Sequence, residues 1–239
     1  MTKRISAVVA LKLVEQCVLD FDRPIAEYSD WKEFCREFSA QPSLFARGLR
    51  CDPANHTLRH LLSHTTTGQP GERFSYNPIL YSWASRPIQE ATRTAFSTLV
   101  ERSVFGPAEM TRSARRHRSL PLPASPAAAL APPYRIDRSG AIVRSPELEP
   151  QGDGAAGGVV SSVLDLAKFD IALDAGRLIS SESRKLMMSP TWSSNGDAFP
   201  YGLAGSCSRI RVTRWSGIPD GGRTRMPRRI GRSPTNRSA

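Results

Sequence analysis

Long apolar runs are missing from this 239-residue chain; none approaches the ~18 residues that a membrane-spanning helix needs. Met1-Thr2-Lys3-Arg4 leads straight into an amphipathic pattern, with no apolar core followed by a small-residue cleavage site, so no signal peptide is expected. Cysteine is scarce. Cys17, Cys35, Cys51 and Cys207 are too few and too scattered for a disulfide framework or a zinc site, and they read as free thiols. Internal repeats are absent and strand signals are few. Acidic residues are nearly missing from the end of the chain: residues 204–239 hold nine arginines and one acid, Asp220, with no Lys, Leu, Phe or Tyr. That segment carries +8 of the net +11, while the preceding 203 residues hold 24 basic and 21 acidic groups. The body is therefore electrostatically ordinary. Composition leaves two readings of the tail, a disordered basic arm for nucleic acid or sequence never selected as protein.

What is present is a helix-rich body. Ile5, Val8, Val9 and Leu13 recur at helical spacing, and Leu11 and Val14 widen the apolar face, which predicts a mostly buried helix over 3–17. Ser29 reads as the N-cap of a short helix with Trp31, Phe34, Cys35 and Phe38 on one face. Further helices are expected over 57–64, 78–91, 95–105, 163–173 (capped at Ser161 or Ser162, with Gly176 at C′) and 180–188 (capped by Ser180 or Ser181, with Glu182 in its first turn). Residues 112–135 read as a surface connection, and 134–143 as a hairpin around Ser139-Gly140.

Three features invite chemistry and have plainer explanations. The loop Gly152-Asp153-Gly154-Ala155-Ala156-Gly157-Gly158 lacks the Gly-Lys-Ser/Thr ending of a phosphate loop and reads as a tight packing turn. His56, His60 and His64 fall four apart and would share a helix face; a metal is one reading, but no carboxylate or fourth ligand accompanies them, and cap or core histidines are preferred. The arginines between Arg112 and Arg118 read as a solvated loop.

Several separated segments together carry a family resemblance. Thr2-Lys3 before an apolar helix, then Leu19 to Ile25, resembles the end of a Ser-x-x-Lys motif and the helix behind it. Thr57 to Thr65 is similar to the signature "RHLLSHTSG", and Pro70 to Tyr76 to the approach to a Tyr-x-Asn motif. Phe105 to Thr111 resembles "PLGMTRT". Gly157 to Ser162 with Asp165 to Phe169 resembles "GGLVSTAxDLARF", and Tyr201-Gly202-Leu203 the start of "YGLGW". In this order, over residues 2 to 203, they resemble the serine beta-lactamase and penicillin-binding-protein family, in its class C and esterase-like branch.

The resemblance implies an α/β fold, a helical region on a mainly antiparallel sheet, with sheet strands missing at both ends. It implies acyl transfer on a beta-lactam, ester or peptide-like amide, with no cofactor and no metal. In that chemistry a serine attacks a carbonyl, a lysine one helical turn later keeps the serine proton mobile, and a tyrosine assists. Carried over, Lys3 is the motif lysine and Tyr76 the second-motif tyrosine. Pro78 stands where the family has Asn, so either Asn77 serves from the neighbouring position or that polar contact is lost. Cys17 stands where the family often has Gly.

Counting back three from Lys3 places the nucleophilic serine one residue before Met1, so the chain is expected to be inactive as written. The only intact Ser-x-x-Lys is Ser29-Asp30-Trp31-Lys32, and no family segment surrounds it. After Leu203 the resemblance stops. Arg214 to Gly222 can be back-translated so that a two-base shift reads Val-Val-Trp-His-Ser-Gly-Arg-Trp, which holds the family's His-Ser-Gly motif. The codon choices permit this reading and do not force it. The expectation is a partial domain over 1–203 and an out-of-frame tail over 204–239, with Trp215-Ser216-Gly217 given no role. A small-molecule substrate is expected, with no specific nucleic acid and no membrane segment. Family members are often periplasmic or secreted. The alternative is a non-catalytic remnant that binds a ligand or, through its basic tail, nucleic acid.

Overall fold

The computed structural model describes residues 1–51, 56–117, 121–145 and 152–205, together with the backbone of 208–209 and 214–215. Helix α1 (Thr2–Glu15) is the hub. Ile5, Ala7, Val8, Val9 and Ala10 have no exposed surface, and its apolar residues run right round, as in a helix enclosed by protein. Full burial of each large aliphatic side chain contributes about 1.5–3 kcal/mol. After α1 come α2 (Trp31–Ser39), α3 (Leu58–Ser63), α4 (Pro78–Trp83), α5 (Ser85–Thr92) and α6 (Phe96–Val100), which runs into a π-helical turn, Glu101–Phe105. Then come β1 (Ala114–Arg115), α7 (Ala124–Ala128), β2 (Tyr134–Ile136), β3 (Ile142–Arg144), β4 (Val159–Val160), α8 (Val163–Asp174), α9 (Ser181–Met188), β5 (Ser208–Arg209) and β6 (Arg214–Trp215). The strands pair antiparallel as β1–β4, β2–β3 and β5–β6. α1 packs against α6, the π turn and α9.

Local chemistry explains the boundaries. Thr57 caps α3 by accepting the His60 N–H, and Ser162 and Ser180 do the same for α8 and α9. Gly176 follows the Ala175 C-cap at φ 70°, a backbone state that glycine enters at little cost. The hairpin forms with Ile136 opposite Ile142, as the turn residues predict. Asp165 ties α8 to the chain before β1, accepting the Arg112 N–H and the Ser113 hydroxyl, each at 2.7 Å.

Several expectations need correction. Cys35 and Cys51 are joined in a disulfide, with Cα atoms 5.6 Å apart; Cys17 is free, and Cys207 lies outside the described residues. Cys35 lies on the buried face of α2, which brings it to the segment after Leu49. Ser29 does not cap α2. Asp30 takes that place, and the Ser29 hydroxyl donates back to the Ile25 carbonyl at 2.8 Å. The stretch 78–91 is two helices, broken at Ala84. The supposed surface connection contains β1, whose Ala114 and Arg115 are both buried.

Cys17, which the resemblance places where the family often has Gly, adopts a backbone state that favours glycine. It sits at φ 57°, the left-handed region, in the turn that ends α1. A side chain costs roughly 1–2 kcal/mol there. Cys17→Gly is therefore expected to stabilise the protein by about 1 kcal/mol, read from the urea midpoint; an unchanged or lowered midpoint would contradict the strain.

Candidate active site

The glycine-rich loop 152–158 organises the site. Gly154 lies so close to α4 that a Cβ built on it would stand 1.8 Å from the Ser82 hydroxyl, so a larger residue would force Ser82 or the loop to move. The Ala155 N–H donates to the Ser82 carbonyl at 3.0 Å. Arg115 grips the loop from the other side. Its guanidinium donates to the carbonyls of Gly157 (2.5 Å) and Gly154 (2.7 Å) and pairs with Asp153 at 3.2 Å, while Asp153 also accepts the Ser97 N–H at 2.8 Å. Burial lowers the Arg115 pKa from its usual value, and Asp153 opposes that shift. The sequence reading of this arginine as part of a solvated loop is thus overturned: Arg115 is a buried cation whose charge faces Asp153 and whose two terminal nitrogens bond the loop, while its Nε is buried with no hydrogen-bond partner among the described residues. Arg118 lies outside the described residues.

So held, the loop turns two carbonyls toward the start of α1. Ala155 O accepts the Ser6 hydroxyl at 2.6 Å, and Ala156 O accepts Lys3 Nζ at 3.3 Å. Lys3 is 6% exposed. Its Nζ lies 5.2 Å from the Tyr76 ring centroid and 5.4 Å from that of Tyr81. The structure therefore brings together Lys3 and Tyr76, the two residues expected to share a site. Tyr76 is 39% exposed and supplies the open side.

Asn77 is placed elsewhere. It is buried, its Oδ1 accepts the Leu80 N–H at 3.0 Å as the N-cap of α4, and its Nδ2 donates to Phe45 O at 2.7 Å. Of the two alternatives for this residue, the geometry favours the lost contact, because both polar ends are committed to the fold. Ser29 is engaged with Ile25 O, and Lys32 is exposed on α2.

The histidines serve as local anchors and do not share a helix face. His56 precedes the α3 cap and its Nε2 lies 3.1 Å from Thr66 O. His60 Nδ1 accepts the Thr57 N–H and closes the capping box. His64 ends α3 at φ 59°, and its Nδ1 accepts the Asn77 N–H at 3.1 Å. Its ring lies among those of Phe74, Tyr76, Tyr81 and Tyr201, at 4.4 Å from Tyr76. Tyr81, whose phenol burial drives well above its usual pKa, donates its hydroxyl toward Lys3 O (2.9 Å) and Leu203 O (3.1 Å). No group of His, Cys, Asp and Glu among the described residues is arranged to hold a metal.

The sequence reading missed His64, Tyr81, Ser6, Arg115 and Asp153 as parts of this site. Two had signals available: Asp153 is the one acid in a glycine loop, and Ser6 stands one helical turn after Lys3.

With this geometry in hand, comparison with known proteins is decisive for the family. The model of the family described as beta-lactamase matches residues 1–226, past the boundary expected at 203. The chain belongs to the beta-lactamase family. Its fold is similar to that of a penicillin-binding protein from Bacillus halodurans, at 22% identity and a TM-score of 0.64 over 84% of this chain and 65% of that one. An octameric penicillin-binding protein homologue from Pyrococcus abyssi matches at 21% and 0.64, over 85% of this chain and 51% of that one. A D-amino acid amidase from Ochrobactrum anthropi SV3 matches at 20% and 0.66, over 90% and 67%. The chain thus spans about half to two thirds of the length of these family structures. Among the described residues, no helix of this family member is long and apolar enough to cross a membrane.

Burial holds the pKa of His64 at about 3, with Lys3 adding to the shift, and that of His60 at about 4, against an ordinary 6.5. Above pH 6.5 both rings are neutral, folded or unfolded. Between pH 6.5 and 4 only the unfolded chain takes up these protons, so stability falls as pH falls, by up to about 1.4 kcal/mol per pH unit for each histidine. Urea midpoints are expected to drop between pH 6.5 and 4.5, with the His64 ring signals showing no titration in that window. A flat stability, or a His64 that titrates near 6.5, would contradict this placement.

Proposed function

We propose that this chain is the body of a serine acyl-transfer hydrolase acting on a beta-lactam, an ester or a peptide-like amide, with Lys3 and Tyr76 as its proton-handling pair. Beyond membership of the beta-lactamase family, one observation supports this reading: Lys3 Nζ sits 5.2 Å from the centre of the half-exposed Tyr76 ring. In this chemistry a serine Oγ attacks the carbonyl carbon, and its proton passes to the Lys3–Tyr76 pair. The tetrahedral intermediate then collapses, the bond to the leaving nitrogen or oxygen breaks, and the pair returns the proton to the leaving group. A water molecule repeats the sequence and frees the acid. The glycine loop keeps Lys3 in place throughout, through Ala156 O. Asn77 contributes by holding the start of α4 directly after Tyr76.

By the Ser-x-x-Lys spacing, the attacking hydroxyl belongs one residue ahead of Met1. Acylation is therefore proposed to need a serine at that position, since loss of the nucleophile costs on the order of 10⁶ in rate in such machinery. The shifted reading frame over 204–239 is a separate proposal about the gene, answered by reading the genomic DNA across codon 204.

The test compares two polypeptides with nitrocefin and a p-nitrophenyl ester: the 239-residue chain, and the same chain with Met-Ser placed directly before Met1. The first is expected to show no turnover above its Lys3→Ala variant. The second is expected to form a covalent adduct on the added serine, abolished by Lys3→Ala and slowed about 10²–10⁴-fold by Tyr76→Phe. Turnover by residues 1–239 alone that Lys3→Ala removes would overturn the need for that serine. An intact, folded serine-bearing chain that never acylates would overturn the role of the pair.

A further inference from the structure

Tyr76 is held on both sides by one residue. The Ser75 N–H donates to the backbone carbonyl of His64 at 2.8 Å, and the Asn77 N–H donates to His64 Nδ1 at 3.1 Å. Between these two bonds the Tyr76 ring lies 4.4 Å from the imidazole, centre to centre. The imidazole is itself fixed: it is buried, it lies 5.1 Å from Tyr81, and Tyr81 is tied to the carbonyl of Lys3. His64 also occupies the left-handed region at φ 59°, uncommon for a residue with a side chain. Local strain of this kind persists where the surrounding structure over-determines it, often at functional sites. Since Nδ1 accepts a hydrogen bond, the proton of the neutral ring belongs on Nε2. Nε2 is buried and has no hydrogen-bond partner among the described residues.

We infer that His64 is the positioning residue of this site: its carbonyl and Nδ1 grip the backbone on either side of Tyr76 and so set the phenol against Lys3. This rests on the reading of Lys3 and Tyr76 as a pair. His64 touches no reacting atom in this scheme and acts through Tyr76.

Two amide substitutions separate positioning from mere packing. Asn at 64 puts an acceptor oxygen near the place of Nδ1 and tolerates the left-handed backbone, whereas Gln puts its oxygen one bond further out. The five tyrosines of the full chain are labelled as 3-fluorotyrosine, and the Tyr76 signal is assigned through Tyr76→Phe. In the parent chain, Lys3→Met is expected to move the Tyr76 ¹⁹F resonance. His64→Asn should keep that response, and His64→Gln should lose it, with the Tyr28 and Tyr134 signals unmoved in both. Equal behaviour of the two folded variants would overturn the proposal. A second measurement needs no substitution at 64. Long-range ¹H–¹⁵N spectra of the unaltered protein should show Nδ1 unprotonated and hydrogen-bonded and Nε2 protonated; a proton on Nδ1 would overturn it. Neither readout needs turnover, so a failed acylation assay and a failed His64 test are separate results.

Discussion

The site depends on the grip of Arg115 on the loop 152–158. A backbone turn rich in glycine has few side chains of its own to hold it and a high conformational entropy to lose. Here the restraint comes from one guanidinium that meets two carbonyls and one carboxylate in a buried setting. The carboxylate reaches on to the start of α6 through the Ser97 N–H. Breaking such a pair leaves an uncompensated buried charge, which is strongly destabilising. With the loop so held, Ala155 and Ala156 present carbonyls to Ser6 and Lys3, which ties the first turns of α1 to a segment some 150 positions away.

On the opposite side of Lys3 the restraint is aromatic. Tyr81 donates to the Lys3 and Leu203 carbonyls, His64 fills the space between Tyr81 and Tyr76, and Phe74 stacks on Tyr201 at 5.5 Å. The polar loop fixes the end of Lys3 and the aromatic group fixes what it faces. Neither α1 nor Tyr76 sets the geometry alone. Apolar surface elsewhere is less well covered: Val163, Leu164 and Ile171 on α8 remain exposed, as do Ile136 and Ile142 of the hairpin.

How far all this could be read from the sequence varies with the physical range of the cause. Short-range causes were legible. The apolar periodicity of α1, the Ser162 and Ser180 caps, Gly176 and the hairpin follow from neighbours a few positions apart, and all are found. The family motifs carried Lys3 and Tyr76, which the fold does bring together. Long-range causes were not legible. Nothing near Arg115 announces a carboxylate 38 positions away, so a buried cation looked like part of a solvated loop. Cys35 and Cys51 looked like two scattered thiols because pairing depends on how α2 packs. Asn77 was a candidate for the pocket by its position beside Tyr76, yet its side chain is used up by Leu80 and Phe45.

The central claim is that the fold seats the Lys3 side chain against the Tyr76 ring. The most direct measurement is a nuclear Overhauser experiment on the full chain with labelled lysine and tyrosine, assigned through Lys3→Met and Tyr76→Phe. The account predicts cross-peaks between the Lys3 ε-protons and the ring protons of both Tyr76 and Tyr81, in keeping with centroid distances of 5.2 and 5.4 Å. A well-dispersed spectrum with no Lys3–Tyr76 cross-peak would contradict it.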